Sequence, residues 1–235
     1  MQSAWTTVAR KMLIFLTFVA AIALLVCIHL LAMAAAARCC GIAVREVSLG
    51  LGPRLLSLGV FHLYAIPLSG SVRLKDTREE GVPLDKPAGY LDDAFNHKPR
   101  AVQVLIPLTG PMALIVVALA LRQWAALPSL VHGFAQFLAG ALDPLSTGRQ
   151  LVGGARAFAE QHTFPALLGM LAAKLAAMNL LPLPLLNGGQ ALLALITRDF
   201  SETPAWQQKL AVGSMWVWLA LIASWLAAIL SYVEA

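Results

Sequence analysis

The sequence predicts an all-α polytopic membrane protein of about four transmembrane helices, with a small membrane-associated β-hairpin or sheet after the first helix. Composition is the first ground. Hydrophobic residues make up 59% and charged residues 12%, against roughly 25% charged in a soluble domain. Mean hydropathy is +0.75. The second ground is the distribution of apolar runs long enough to cross a bilayer. The third is a stretch rich in β-branched, aromatic and Gly residues between the first two runs.

The first span is residues 12–37, ended by Arg38 and a Cys39-Cys40-Gly41 turn. Arg10 and Lys11 precede it, but it is longer than a signal-peptide core, so it is expected to remain in the mature protein. Residues 42–75 read as a membrane-associated β region, punctuated by Gly50, Gly52, Pro53, Pro67 and Gly70 and too apolar to sit fully in water. Residues 76–100 form the polar loop. Lys75, Asp76, Arg78, Glu79, Glu80, Asp85, Lys86, Asp92, Asp93, Lys98 and Arg100 fall in or beside it, and predict a solvated segment. A second span covers 101–121 with Gly110-Pro111 inside it. A membrane helix tolerates Pro where neighbours satisfy the freed carbonyl. Residues 124–142 predict an interfacial or re-entrant helix and 143–162 a polar connection. A third span, 163–197, is broken by LLPLPLLNGGQ, and the last covers 210–232. The whole chain is expected to form one membrane domain, with no PDZ domain legible in it.

The net charge of +5 is read as loop charge facing anionic lipid. No basic stripe interleaved with aromatics points to nucleic acid, and nucleic acid is excluded as a partner. Cys27, Cys39 and Cys40 do not make a disulfide framework.

One histidine stands inside the first span. An ionisable group at membrane depth is a candidate functional site. A zinc-protease helix reads His-Glu-x-x-His, two imidazoles on one face with the Glu as general base. Here the five positions are His29, Leu30, Leu31, Ala32 and Met33. The first ligand is present, while Leu replaces the base and Met the second ligand.

Further segments carry a resemblance. HLLAMAAAARCCGIAV continues the His29 helix, VSLGLGPRL and IPLSGSVRLKD follow it, Gly110 to Leu114 read Gly-Pro-Met-Ala-Leu, and Asn179 to Gln190 read NLLPLPLLNGGQ. In that order and spacing they resemble the site-2 proteases, zinc metalloproteases that cleave within the membrane. The resemblance implies that fold. It also implies that the third metal ligand, an Asp in the family, is Asn187, that the family Asn of the Gly-Pro helix is Leu114, and that the His after Gly-Gly is Gln190. Scaffold positions Gly110, Pro111, Asn179, Pro182, Pro184, Gly188 and Gly189 match. The broken stretch lies beside the bound substrate in that family, so these positions with Gln190 form the expected partner groove.

The resulting expectation is an inactive pseudoprotease of the bacterial inner membrane that binds a transmembrane segment of a partner, as subunit, chaperone or regulator. No catalytic residue is expected, since Leu30, Met33 and Leu114 are degenerate. His29 and Asn187 are vestigial ligands, and no cofactor is expected. The alternative is a divergent active metalloendopeptidase holding zinc through recruited ligands, His62 being the first considered. His29 itself reads either as a buried imidazole bonded to a neighbour such as Asn187, or, with Met33 one turn away, as a soft-metal site. Gly188 and Gly189 read as a tight turn needing positive φ.

Residues 38–100 carry nine of the seventeen Lys and Arg, and residues 122–162 carry three. The positive-inside rule puts the 75–100 segment in the cytoplasm and 143–162 opposite. In Asp85→Cys, the new thiol is expected to react with an impermeant maleimide only after permeabilisation. In Gly148→Cys it is expected to react in intact cells. Labelling of Asp85→Cys in intact cells reverses the orientation.

Overall fold

The computed structural model describes residues 2–85, 87–197 and 203–233. Lys86, counted in the polar segment above, lies outside the described residues.

Helix α1, Gln2–Cys39, holds no Gly or Pro and is dominated by Ala and Leu, which favour helix. Its end is a Schellman motif. Ile42 N–H donates to the Ala37 carbonyl and Gly41 N–H to that of Arg38, both at 2.9 Å, with Gly41 at φ +65°. Ile42 then drops into an apolar cluster with Leu30, Ala34, Ala37, Val44, Val47 and Ile106.

Strands β1, Val44–Leu58, and β2, Phe61–Leu74, are joined by a two-residue turn with Gly59 at φ +60°. Both strands bend sharply, and their register shows more than a ribbon. Residues 47–49 pair antiparallel with 72–70 on one side; on the other they meet 61–63 with both numbers rising together. Residues 54–58 return against 64–61. Segment 47–49 is therefore central, flanked on both sides, and Val47 N–H donates to the Val60 carbonyl at 2.7 Å. Gly50 makes the bend possible. It sits at φ +104°, and a Cβ there would lie 2.9 Å from the Ile66 carbonyl oxygen. The outer half leaves Leu51, Leu55, Leu56, Leu58, Phe61 and Ile66 exposed. So large an apolar patch is a membrane or protein contact surface.

The 75–100 segment differs from the solvated loop expected. Lys75, Asp76, Thr77 and Asn96 are buried, because the charges find partners locally. The Lys75 ammonium donates to Asp93 Oδ1 and to the Tyr90 carbonyl, and lies 3.6 Å from the centre of the Tyr90 ring. Asn96 Nδ2 donates to Thr77 Oγ1, and Gln103 Nε2 to the Lys98 carbonyl, both at 2.8 Å. Arg45 of β1 pairs with Glu80 at 2.7 Å.

Helix α2, Arg100–Arg122, contains Pro107 and Pro111. Helices α3, Ala126–Leu142, and α4, Arg149–Gln161, follow. A π-helical turn, Pro144–Gly148, leads into α4. The 143–162 connection is thus largely helical, a difference from expectation. Two of its three Gly residues mark close packing: a Cβ at Gly148 would meet the Gly140 carbonyl oxygen at 2.7 Å and Ala228 Cβ at 2.9 Å, and one at Gly153 would meet the Tyr232 ring at 3.1 Å, while Gly154 faces open space. Exposed Gln150 is therefore the better labelling position on this segment. The broken span consists of α5, Phe164–Asn179, and α6, Asn187–Ile196, with 180–186 non-helical. Helix α7 is Ala205–Val233. Three stretches are long and apolar enough to cross a membrane: Ala9–Cys39, Arg100–Leu142 as α2 running on into α3, and Ala205–Val233; Phe164–Asn179 is a shorter apolar helix.

The chain divides into two compact units. One comprises residues 1–25, 115–178 and 217–235. Small residues let its elements close up. A Cβ at Gly140 would touch the Trp225 ring at 2.6 Å, and Trp225 Nε1 donates to the Phe137 carbonyl at 3.2 Å. The other unit, residues 26–114 and 179–216, holds the sheet and all the positions singled out above as ligands.

The polar cluster generates a pH prediction. The Lys75 ammonium holds the Asp93 carboxyl below the usual carboxylate range, and the Arg45 guanidinium does the same for Glu80. A carboxyl lowered in the folded state contributes stability that is complete above its unfolded value and is lost as pH falls through the folded one. Amide protection factors across residues 75–97, measured against the intrinsic exchange rate at each pH, are expected to fall as pH drops below about 4. Asp93→Asn is expected to show lower protection factors already at pH 7 and a flatter dependence of protection on pH.

Candidate functional site: a degenerate metal centre

His29 and Met33 lie one turn apart on α1, both buried at 8% exposure. Asn187, the first residue of α6, is equally buried. Its Nδ2 donates to the Pro107 carbonyl at 2.8 Å and to Met33 Sδ at 3.1 Å. The reason is in the helix. Pro111 lies four residues after Pro107 and has no N–H, so the Pro107 carbonyl loses its helical donor. The Asn187 amide supplies the replacement.

Gly110 lies against the His29 imidazole. A Cβ on it would fall 2.5 Å from Cε1 and 2.7 Å from Nδ1 and Nε2. The Asn187 side chain and the Gly110 backbone are the polar groups that approach the ring, yet His29 Nδ1 is buried without a hydrogen-bond partner. The pairing expected for a buried imidazole is missing at that atom.

Leu30, in the place of the general base, is 3% exposed and belongs to the apolar cluster. Leu114 is 1% exposed. Pro111 is fully buried. Gly188 and Gly189 do not have positive φ, which corrects the turn reading. They are Gly because of close approach. A Cβ would stand 2.2 Å from the Leu180 carbonyl oxygen at Gly188, and 2.1 Å from that of Leu183 at Gly189. Asn179 is hydrogen-bonded or otherwise engaged. Pro182, Leu185 and Gln190 are exposed and Pro184 is half-buried. Of the expected groove positions, then, four are closed by packing and the open ones cluster on the 182–190 stretch.

The other histidines do not join the centre. His62 Nδ1 is hydrogen-bonded to Ser57 Oγ at 2.8 Å and lines an apolar cavity with Cys27, Leu30, Leu31, Leu56 and Phe61. His97 Nε2 is bonded to Thr77 Oγ1. His132 and His162 are exposed.

The profile of Peptidase family M50 matches residues 17–223. The chain belongs to that family. A "Regulator of sigma E protease" from Haemophilus influenzae is 34% identical over 108 residues, 44% of this chain and 24% of that protein. A protein of Pasteurella multocida named "Putative zinc metalloprotease PM1991" is 34% identical over 110 residues, 45% of this chain and 24% of that one. The match thus spans about a quarter of the length of these relatives. Family membership, bacterial relatives and the apolar helices put this M50 chain in the bacterial inner membrane.

The family implies zinc, and the residues here can be tested against it. Catalytic zinc takes about three protein donors, drawn from imidazole, thiolate and carboxylate, and an open position. Positions 29, 33 and 187 converge, but they offer one imidazole, one thioether and one carboxamide. The amide's N–H end is already engaged by Pro107 and Met33. Among the described residues, no three of His, Cys, Asp and Glu lie close enough to hold a metal. The donor set does not fit zinc.

Sequence reasoning missed the Asn187–Pro107 bond, although the two prolines four apart are its signal. The bond generates a prediction. An ionised Asp at 187 accepts but cannot donate, so Asn187→Asp sets a buried carboxylate against a carbonyl oxygen. A loss of about 1–3 kcal/mol is expected, read as a lower midpoint of thermal unfolding in detergent. Gly188→Val is expected to prevent folding outright, because its first obstacle is backbone.

Proposed function

We propose that this M50 protein is catalytically inactive and binds a transmembrane segment of another membrane protein, as a subunit, chaperone or regulator of it. The observation that carries the reading is Leu30. The position a general base needs is filled by a side chain packed into the core with Ala34, Ile42, Val47 and Ile106. General-base help contributes about 10²–10⁴-fold in rate. Nothing at positions 33 and 187 makes up for it.

Binding does not depend on those losses. The non-helical 180–186 stretch carries backbone groups outside any helix, and exposed Pro182, Leu185 and Gln190 border it. Backbone of this kind at membrane depth survives where protein or a cavity satisfies it. An extended or unwinding partner segment could lie against it through main-chain hydrogen bonds. In this reading Gly110, Pro111, Gly188 and Gly189 shape the groove from within, and surrounding lipid is the other partner.

The test has two arms. A photo-crosslinker at Leu185, which is 42% exposed, is expected to capture a partner through its transmembrane segment, while one at exposed Leu226 is expected to capture lipid only; Leu114, at 1% exposure, is out of reach. Elemental analysis of the purified chain is expected to find far less than one zinc per chain. Failure to capture any transmembrane segment at Leu185 overturns binding. Stoichiometric zinc lost on His29→Ala, or chelator-sensitive cleavage of the captured partner, overturns inactivity.

A further inference from the structure

The convergence of positions 29, 33 and 187 outlasts their fit to zinc, and what remains has its own coordination chemistry. His29 Nδ1 is a nitrogen donor with no partner, on a side chain only 8% exposed. An unpaired buried polar atom is costly, so a ligand there relieves a standing deficit. Met33 Sδ lies one helical turn on and shares with His29 the neighbour Asn187. Imidazole with thioether is a soft donor pair. Thioether selects Cu(I) over zinc, whereas carboxylate and carbonyl donors suit hard divalent ions.

Charge points the same way. A zinc site built with Asp and a neighbouring Glu sets negative charge against a doubly charged ion. Here the corresponding residues are Asn187 and Leu30, both uncharged. A divalent ion held by neutral donors keeps its full double charge in a low-dielectric interior. The solvation penalty of burying an ion grows steeply with its charge, and a monovalent ion escapes most of it.

We propose that His29 and Met33 form a binding site for a soft monovalent cation, Cu(I) and its surrogate Ag(I), at the degenerate metal centre. The imidazole nitrogen and the thioether sulfur are the two donors. Asn187 is the positioning residue. Its hydrogen bond to Met33 Sδ fixes the sulfur, and its bond to the Pro107 carbonyl fixes the amide. Gly110 bounds the imidazole on one face, leaving no room for the ring to tip that way. Cu(I) has no need of the open water position that a catalytic zinc keeps, so the site is compatible with a protein that does no hydrolysis.

The experiment is anaerobic Cu(I) titration of the full chain in mild detergent against a chromophoric Cu(I) chelator. Free thiols bind Cu(I), so Cys27→Ala, Cys39→Ser and Cys40→Ser are combined as the background. One Cu(I) per chain is expected in that background, with X-ray absorption showing one nitrogen and one sulfur scatterer. His29→Ala and Met33→Leu are each expected to weaken binding at least tenfold. Met33→Leu conserves volume, and unchanged circular dichroism checks that it folds. Ag(I) is expected to compete one for one. Cu(I) binding that disappears with the cysteines, or that Met33→Leu leaves intact, overturns the site. Stoichiometric zinc retained in place of Cu(I) overturns it too.

Discussion

A single amide holds the second compact unit together at its polar weak point. Helix α2 carries two prolines four residues apart, so the Pro107 carbonyl has no helical donor. Asn187 donates to that carbonyl and, with the same nitrogen, to Met33 on α1. Three elements thereby meet at one side chain. The N-terminus of α6 is fixed there, and this brings Gly188 and Gly189 against the backbone of the preceding broken stretch. The same position in an active M50 protease is a metal ligand. Here its role is that of a hydrogen-bond donor, which a carboxylate could not fill. Asn at this position thus joins three elements of the unit.

The remainder of the centre follows the same logic. Leu30 and Leu114 are buried, and they extend apolar packing into what would otherwise be a hydrated, charged site. A buried base or ligand without its partner carries a desolvation penalty. Apolar side chains at positions 30 and 114 carry no such penalty. His29 is the exception, with Nδ1 still unpaired. An unsatisfied buried atom in an otherwise satisfied site is where a remaining function is to be sought.

Much of the architecture is legible in the amino-acid sequence alone. The first span and its Cys-Cys-Gly stop, the apolar β region and the break around residues 180–186 rest on strong local signals: a long apolar run, positive-φ Gly and clustered Pro. The less legible features are set by distant partners. Lys75 looks like a loop charge until Asp93 and Tyr90 are seen around it. Residues 149–161 look like a connection because their Gly are counted as breakers, whereas Gly153 sits inside a helix against the Tyr232 ring. Gly188 and Gly189 suggest a special backbone conformation, when steric approach is the cause. Leu in the place of the base at position 30 and Met in the place of a ligand at position 33 are plain in the sequence. That the altered side chains still converge is not, because it depends on α6 meeting α1 across more than 150 residues of chain.

The pairing of residues 47–49 has a consequence for biosynthesis. This segment takes partners from 61–63 on one flank and 70–72 on the other, so it cannot be completed by a local hairpin alone. During synthesis the 51–58 and 61–66 arms can close first, as an ordinary turn-joined pair. The central segment then waits, with one row of backbone groups unpaired, until residue 74 has left the ribosome. Non-local pairing of this kind is slow, and unpaired strand backbone is prone to wrong associations. Helix α1 already lies upstream of it, ready to enter the bilayer. Completion of this sheet is therefore a matter of timing: segment 47–49 emerges early and gains its second flank only when residues 70–72 arrive.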